Sequence, residues 1–118
     1  MPGLQTFPRN ERLTKPSEFR DVYGQSRKAV GHSFVCYAAR RAGKGRKFGM
    51  AVSRKVGGAV TRNRVKRYLR EIYRNCREDL KDDMSIVIVA RSAASTLSFA
   101  DCEEAIRRLF REGGALRD

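Results

Sequence analysis

Gly57-Gly58-Ala59-Val60-Thr61-Arg62-Asn63-Arg64-Val65-Lys66-Arg67-Tyr68-Leu69-Arg70-Glu71-Ile72-Tyr73-Arg74-Asn75-Cys76-Arg77 is the stretch from which the fold of this chain is read. The two glycines make a flexible turn, and Thr61 is placed to N-cap a long helix from about Arg62 to Leu80. At about 100° per residue, Val65, Tyr68, Leu69, Ile72, Tyr73 and Cys76 share one side of that helix. Arg62, Asn63, Lys66, Arg67, Arg70, Arg74 and Arg77 take the other. One side therefore seats the helix on neighbouring elements, and the other is a cationic stripe. From Arg54 to Arg77 nine basic side chains stand against one acid, Glu71, so 24 residues hold +8 of the chain's net +13. A solvated surface helix mixes its signs. Here like charges recur at i, i+4, as in Lys66/Arg70 and Arg70/Arg74, and repel by roughly 0.2–0.5 kcal/mol per pair. A polyanionic partner reverses that cost.

Working outward, Phe48-Gly49-Met50-Ala51-Val52-Ser53 alternates large and small side chains and is read as a strand. His32-Ser33-Phe34-Val35-Cys36-Tyr37-Ala38-Ala39, within the segment from Arg27 to Arg41, is rich in aromatic and β-branched residues and is read as another. The glycine turn Ala42-Gly43-Lys44-Gly45-Arg46 between them predicts a hairpin. Upstream, Pro16 suits a first helical turn, Phe19, Val22 and Tyr23 take helical spacing, and Gly24 ends a short helix. Residues 1–13 read as an irregular basic arm with Arg9 and Arg12.

Beyond the long helix, Asp82-Asp83 marks a break, and Ser85 to Ala90 is apolar on both faces, as an interior strand is. Ser98 caps a last helix whose buried stripe is Phe99, Cys102, Ile106, Leu109 and Phe110, and Gly113-Gly114 ends it. The order helix, strand, strand, helix, strand, helix predicts an α+β sandwich with a small mixed sheet. The strands flanking the long helix are candidates for a βαβ unit, right-handed by the general rule. At 118 residues the chain has room for one domain, over 1–118, with a basic arm at 1–13 and a short tail at 114–118.

Composition narrows the function classes. Arg outnumbers Lys by 19 to 7, and the planar guanidinium grips phosphate in pairs of hydrogen bonds and stacks on bases. The balance leans toward nucleic acid. Cys36, Cys76 and Cys102 are odd in number, widely spaced and without a CxxC, so neither a disulfide framework nor a zinc site is expected. No apolar run is long enough to span a membrane, and Met1 to Asn10 lacks the pattern of a signal peptide, so a cytoplasmic protein is expected. A nuclease acting by itself needs clustered carboxylates or a His-based acid–base pair. The acids sit mainly at helix ends and His32 is the sole histidine, so no catalytic residue is expected in this chain. Gly57-Gly58 follows a strand rather than a first helix, which argues against a helix-turn-helix and against DNA. A ribosomal or other structural RNA-binding protein of similar fold is the main rival. It would share the basic helix.

The run Gly49-Met50-Ala51-Val52-Ser53-Arg54-Lys55-Val56-Gly57-Gly58-Ala59-Val60-Thr61-Arg62-Asn63-Arg64-Val65-Lys66-Arg67 closely resembles the signature of the bacterial ribonuclease P protein family. The likeness continues at Ser17–Tyr23, Phe34–Tyr37, Ile86–Arg91 and Leu109-Phe110-Arg111. The resemblance implies an α/β sandwich like a domain of ribosomal protein S5, with a left-handed βαβ crossover in place of the general right-handed one. It also implies a holoenzyme that removes the 5′ leader of precursor tRNA, with catalytic groups and Mg²⁺ ions held mainly by a large RNA subunit. Contacts to that RNA would fall on Arg54, Lys55, Arg62, Asn63, Arg64, Lys66, Arg67, Arg70 and Arg74. The single-stranded leader would lie in a cleft with Phe19, Tyr23 and Tyr37, since an aromatic face accepts any base by stacking. Phe19 and Tyr23 at i, i+4 also suit core packing, and both roles stay open at this point.

Overall fold

A computed structural model of the chain describes residues 7–117. Three helices, α1 (Pro16–Gln25), α2 (Ala59–Cys76) and α3 (Phe99–Glu112), surround four strands, β1 (Arg27–Val30), β2 (Phe34–Arg40), β3 (Lys47–Ala51) and β4 (Met84–Ala90). The sheet order is β1-β2-β4-β3, with β2 antiparallel to both β1 and β4 and with β3 parallel to β4. The α+β architecture with a small mixed sheet is therefore as expected.

Two local expectations are corrected. The segment from Arg27 to Arg41 holds two strands, because Gly31 N–H bonds Phe34 O at 2.8 Å and turns β1 back onto β2. The predicted hairpin of residues 34–39 with 48–53 does not form, since β4 lies between β2 and β3. Spanning one intervening strand means crossing about 9–10 Å, twice the spacing of neighbours. The turn at 42–46 makes that crossing over the start of β4. Asp83, in a left-handed conformation (φ 63°), accepts from Gly43 N–H at 3.2 Å and Gly45 N–H at 2.9 Å and pins it there. β4 merits the central place, because Met84 to Ile88 are buried on both faces.

Alternation of side chains divides the sheet into two surfaces. Phe34, Cys36, Ala38, Phe48, Ile86 and Ile88 face α2 and α3 and form the main core. Val87, Ala39 and Leu13 face the other way, against Val22 of α1, with Phe19, Tyr37 and Val89 around them. Helix α2 begins at Ala59 with Gly58 as its N-cap, so Thr61 lies inside the first turn rather than capping it. The helix ends at Cys76 and tightens into a 3-10 turn over Arg77–Asp79 short of Leu80. Its buried side is Val65, Leu69, Ile72, Tyr73 and Cys76, and Tyr73 stacks on Phe48 at 4.6 Å. Ser98 caps α3 as expected, accepting from Asp101 N–H at 3.1 Å.

Residues 7–13, expected to belong to an irregular arm, are packed into the fold. Phe7 lies in the main core, Arg9–Glu11 form a 3-10 turn, and Leu13 N–H bonds Phe48 O at 3.0 Å on the outer edge of β3. The first part of that arm, residues 1–6, lies outside the described residues.

Candidate nucleic-acid interface

The basic residues singled out above lie on α2 and the loop that enters it. Arg54 and Lys55 are exposed in a turn closed by Val56 N–H to Ser53 O at 3.0 Å. Asn63, Arg67 and Arg70 are exposed on the helix, while Arg62, Arg64, Lys66 and Arg74 are half-buried. Arg64 donates to Ser95 O, and the Arg62 Nε is buried without a hydrogen-bond partner. The Arg67 guanidinium lies 5.7 Å from the centre of the Tyr68 ring. The stripe is not uniform along its length. Arg74 pairs with Glu71 at 3.2 Å, and Arg77 is held by Glu11 and by Glu78. Uncompensated charge is thus concentrated in the N-terminal half of α2 and the loop before it. The first turn of the helix holds no acid and has no side-chain cap. Its positive dipole end adds to the same field.

On the opposite surface of the sheet the three aromatic residues come together. Tyr23 and Tyr37, from α1 and β2, meet edge to face at 4.7 Å, and Phe19 and Tyr23 lie 6.4 Å apart. Phe19 can sit this low only because residue 49 is glycine. A Cβ there would be 2.8 Å from Phe19 Cζ and 3.0 Å from Leu13 Cβ. Phe19 therefore belongs mostly to the packing under α1, while Tyr23 is 40% exposed. Burial, with a smaller effect from Tyr37, holds the Tyr23 hydroxyl above its ordinary pKa.

Sequence reasoning missed two neighbours of this shelf. Lys28 places its Nζ 5.6 Å from the centre of the Tyr37 ring, and Val30 is 56% exposed beyond it. Both belong to β1, and the register Lys28↔Tyr37 and Val30↔Val35 puts them on the shelf side. Their signal, the alternation of Lys28-Ala29-Val30, is legible once β1 is separated from β2.

Among the described residues no group of three His, Cys, Asp or Glu side chains is arranged to hold a metal ion. All three cysteines are free and buried, with burial pushing the Cys36 thiol up to about 12. No described helix is long and apolar enough to cross a membrane.

A four-stranded mixed sheet with a cationic helix on one face and an aromatic shelf on the other defines a small basic α+β protein. Residues 7–113 match the family model described as Ribonuclease P. The chain belongs to the ribonuclease P protein family. It is 34% identical to the ribonuclease P protein component of Dictyoglomus thermophilum over 119 aligned positions, covering 98% of both chains. With that of Clostridioides difficile it shares 36% identity, covering 87% of this chain and 91% of the relative. The RNase P protein of Staphylococcus aureus superposes with a TM-score of 0.83 at 22% identity, covering 91% of this chain and 98% of that one. That of Thermotoga maritima gives 0.77 at 25% identity, covering 86% and 96%.

Proposed function

We propose that this chain is the protein subunit of a ribonuclease P holoenzyme and acts by positioning RNA. In this reading the N-terminal half of α2, with Arg54 and Lys55 before it, grips phosphates of the catalytic RNA subunit. The contacts are Arg62, Asn63, Arg64, Lys66, Arg67 and Arg70, with Arg74 contributing less because Glu71 already neutralises it. The shelf of Tyr23 and Tyr37, floored by Phe19, stacks bases of the single-stranded 5′ leader of precursor tRNA. Lys28 beside Tyr37 offers an ammonium to the leader backbone.

The observation that carries the reading is the 4.7 Å contact between Tyr23 and Tyr37 on the partly open surface of the sheet. Half-exposed aromatic rings beside a lysine suit stacking of unpaired bases next to a phosphate backbone. Two surfaces, one cationic and one aromatic, suit two RNA elements held at once. Holding the leader and the RNA subunit on one rigid body lowers the entropic cost of bringing the scissile bond to its metal ions. Mg²⁺, bound mainly through RNA, would supply the activated water and the charge stabilisation for phosphodiester hydrolysis. The work of this chain would be in the cytoplasm, with RNA rather than DNA or membrane as its partner.

Reconstitution tests this. The purified protein alone should cleave no precursor tRNA, and it should lower the Mg²⁺ concentration needed by a ribonuclease P RNA subunit transcribed in vitro. Cleavage by the protein alone, or an unchanged Mg²⁺ requirement, would overturn the proposal.

A further inference from the structure

Between the basic helix and the aromatic shelf, along the outer edge of β3, lies a pocket that shares only Arg70 with the RNA-subunit contacts proposed above. Its volume is about 440 Å³, within the range of small-ligand sites. Half-buried Met50 and the rim of Phe7, backed by the buried Phe48, give it an apolar floor, and Arg12, Thr14 and Arg70 are on its lining. No carboxylate lines it. Arg12 is fixed by hydrogen bonds from Nε and Nη2 to Phe7 O, at 3.2 and 2.9 Å, and its guanidinium stands 5.2 Å from the Phe7 ring centre. Arg70 is exposed on α2.

The strand edge adds directional groups. Leu13 N–H bonds Phe48 O on the outer edge of β3. Backbone groups of a strand alternate sides with period two, so Met50 presents its N–H and C=O on that same edge, beyond Leu13. The pocket thus joins an apolar floor, one backbone donor and one backbone acceptor, a hydroxyl and two guanidinium groups. An apolar ring system with polar edges and an attached anion satisfies all of these.

We propose that this pocket receives one unpaired nucleotide of RNA, its base against Met50 and the rim of Phe7, its edge on the Met50 backbone, and its phosphate between Arg12 and Arg70. The inference rests on the RNA-positioning role above. The nucleotide belongs either to the RNA subunit or to the leader, since the pocket lies between the surfaces assigned to each.

Thr14 is exposed, and its side chain makes no hydrogen bond that a substitution would remove, so Thr14→Phe fills the pocket without adding charge. With an unchanged thermal melt, it should weaken RNA binding about 10-fold, the scale of one lost base stack. Loss toward the isolated RNA subunit assigns the nucleotide to that subunit. Loss only for precursor tRNA, with mature tRNA unaffected, assigns it to the leader. No loss toward either overturns the pocket. A second measurement covers the case of a disturbed fold. Thr14→Cys carrying a photo-activatable cross-linker is selective because the native thiols are buried. It should cross-link to one unpaired nucleotide, and cross-links scattered over paired RNA would overturn the proposal. Arg67→Ala is the control. If it too leaves RNA binding unchanged, the RNA-positioning role itself fails; if it alone weakens binding, only the pocket does.

Discussion

The Glu11 carboxylate receives the Arg77 Nε at 2.7 Å on Oε1 and 2.9 Å on Oε2, across 66 positions of sequence. The Tyr73 hydroxyl donates to the same Oε1 at 2.6 Å. This buried junction ties the N-terminal segment to the end of α2. Burial pushes the Glu11 carboxyl upward, but hydrogen bonds from Arg77 and Tyr73 and the charge of Arg77 outweigh it, leaving the group below its ordinary value.

A depressed carboxylate stabilises the fold above its unfolded pKa, and that contribution is lost as pH falls through the folded one. Glu11→Gln should therefore destabilise by about 1–3 kcal/mol at neutral pH. The gap between wild type and variant, followed by urea unfolding, should hold from pH 7 to about 5 and shrink toward pH 3. A gap of constant size down to pH 3 would show that charge at Glu11 does not matter.

Gly49→Ala should disturb the shelf from beneath. The added Cβ meets the Phe19 ring at 2.8 Å and Leu13 Cβ at 3.0 Å, so Phe19 and α1 must shift. Overpacking of this kind costs about 1–3 kcal/mol. Binding of precursor tRNA should fall more than binding of the RNA subunit, and equal losses in titrations of both would separate Gly49 from the leader cleft.

Tyr37→Ala should weaken holoenzyme binding to precursor tRNA more than to mature tRNA, by about 1–3 kcal/mol for a lost base stack. Tyr37→Phe should keep most of that affinity, since it retains the ring facing Tyr23 and Lys28. Equal losses for both tRNAs would remove the leader assignment.

Arg67→Ala should flatten the dependence of log K on log salt for the RNA subunit by roughly 0.7–0.9 per lost phosphate contact. Arg74→Ala should change the slope less, because Glu71 lies 3.2 Å from the Arg74 guanidinium. Identical slope changes at the two positions would show that the intrahelical pair has no bearing on RNA contact.

Periodicity and charge in one contiguous segment were enough to assign the buried and cationic sides of α2, and Val65, Leu69, Ile72, Tyr73 and Cys76 are buried as read. β4 was legible as an interior strand from its unbroken apolar run. The pairing of β2 with β3 was misread because a glycine turn between two strands promotes a local hairpin, and only the long-range demand of β4 for two neighbours forbids it. The structural role of Glu11 could not be read. As a lone acid between Arg9 and Arg12 it resembles a blemish in a basic arm, and its partner is 66 positions away. The compensation of Arg77 by Glu11 was missed for the same reason. Lys28 was hidden by joining β1 to β2, although its pairing with Tyr37 follows directly once the Gly31 turn is placed.

The position of β4 between β2 and β3 has a consequence for synthesis. A ribosome releases β2 and β3 well before Met84, and each emerges with one hydrogen-bonding edge reserved for a strand not yet made. The Asp83 clamp on the glycine turn is equally late, so nothing holds those two strands at their final separation until it appears. A nascent chain ending before β4 therefore presents two unfilled edges, the feature that recruits chaperones or leads to misassembly. In a chain made from its N-terminus, β4 can complete the sheet only after both of its neighbours have been made.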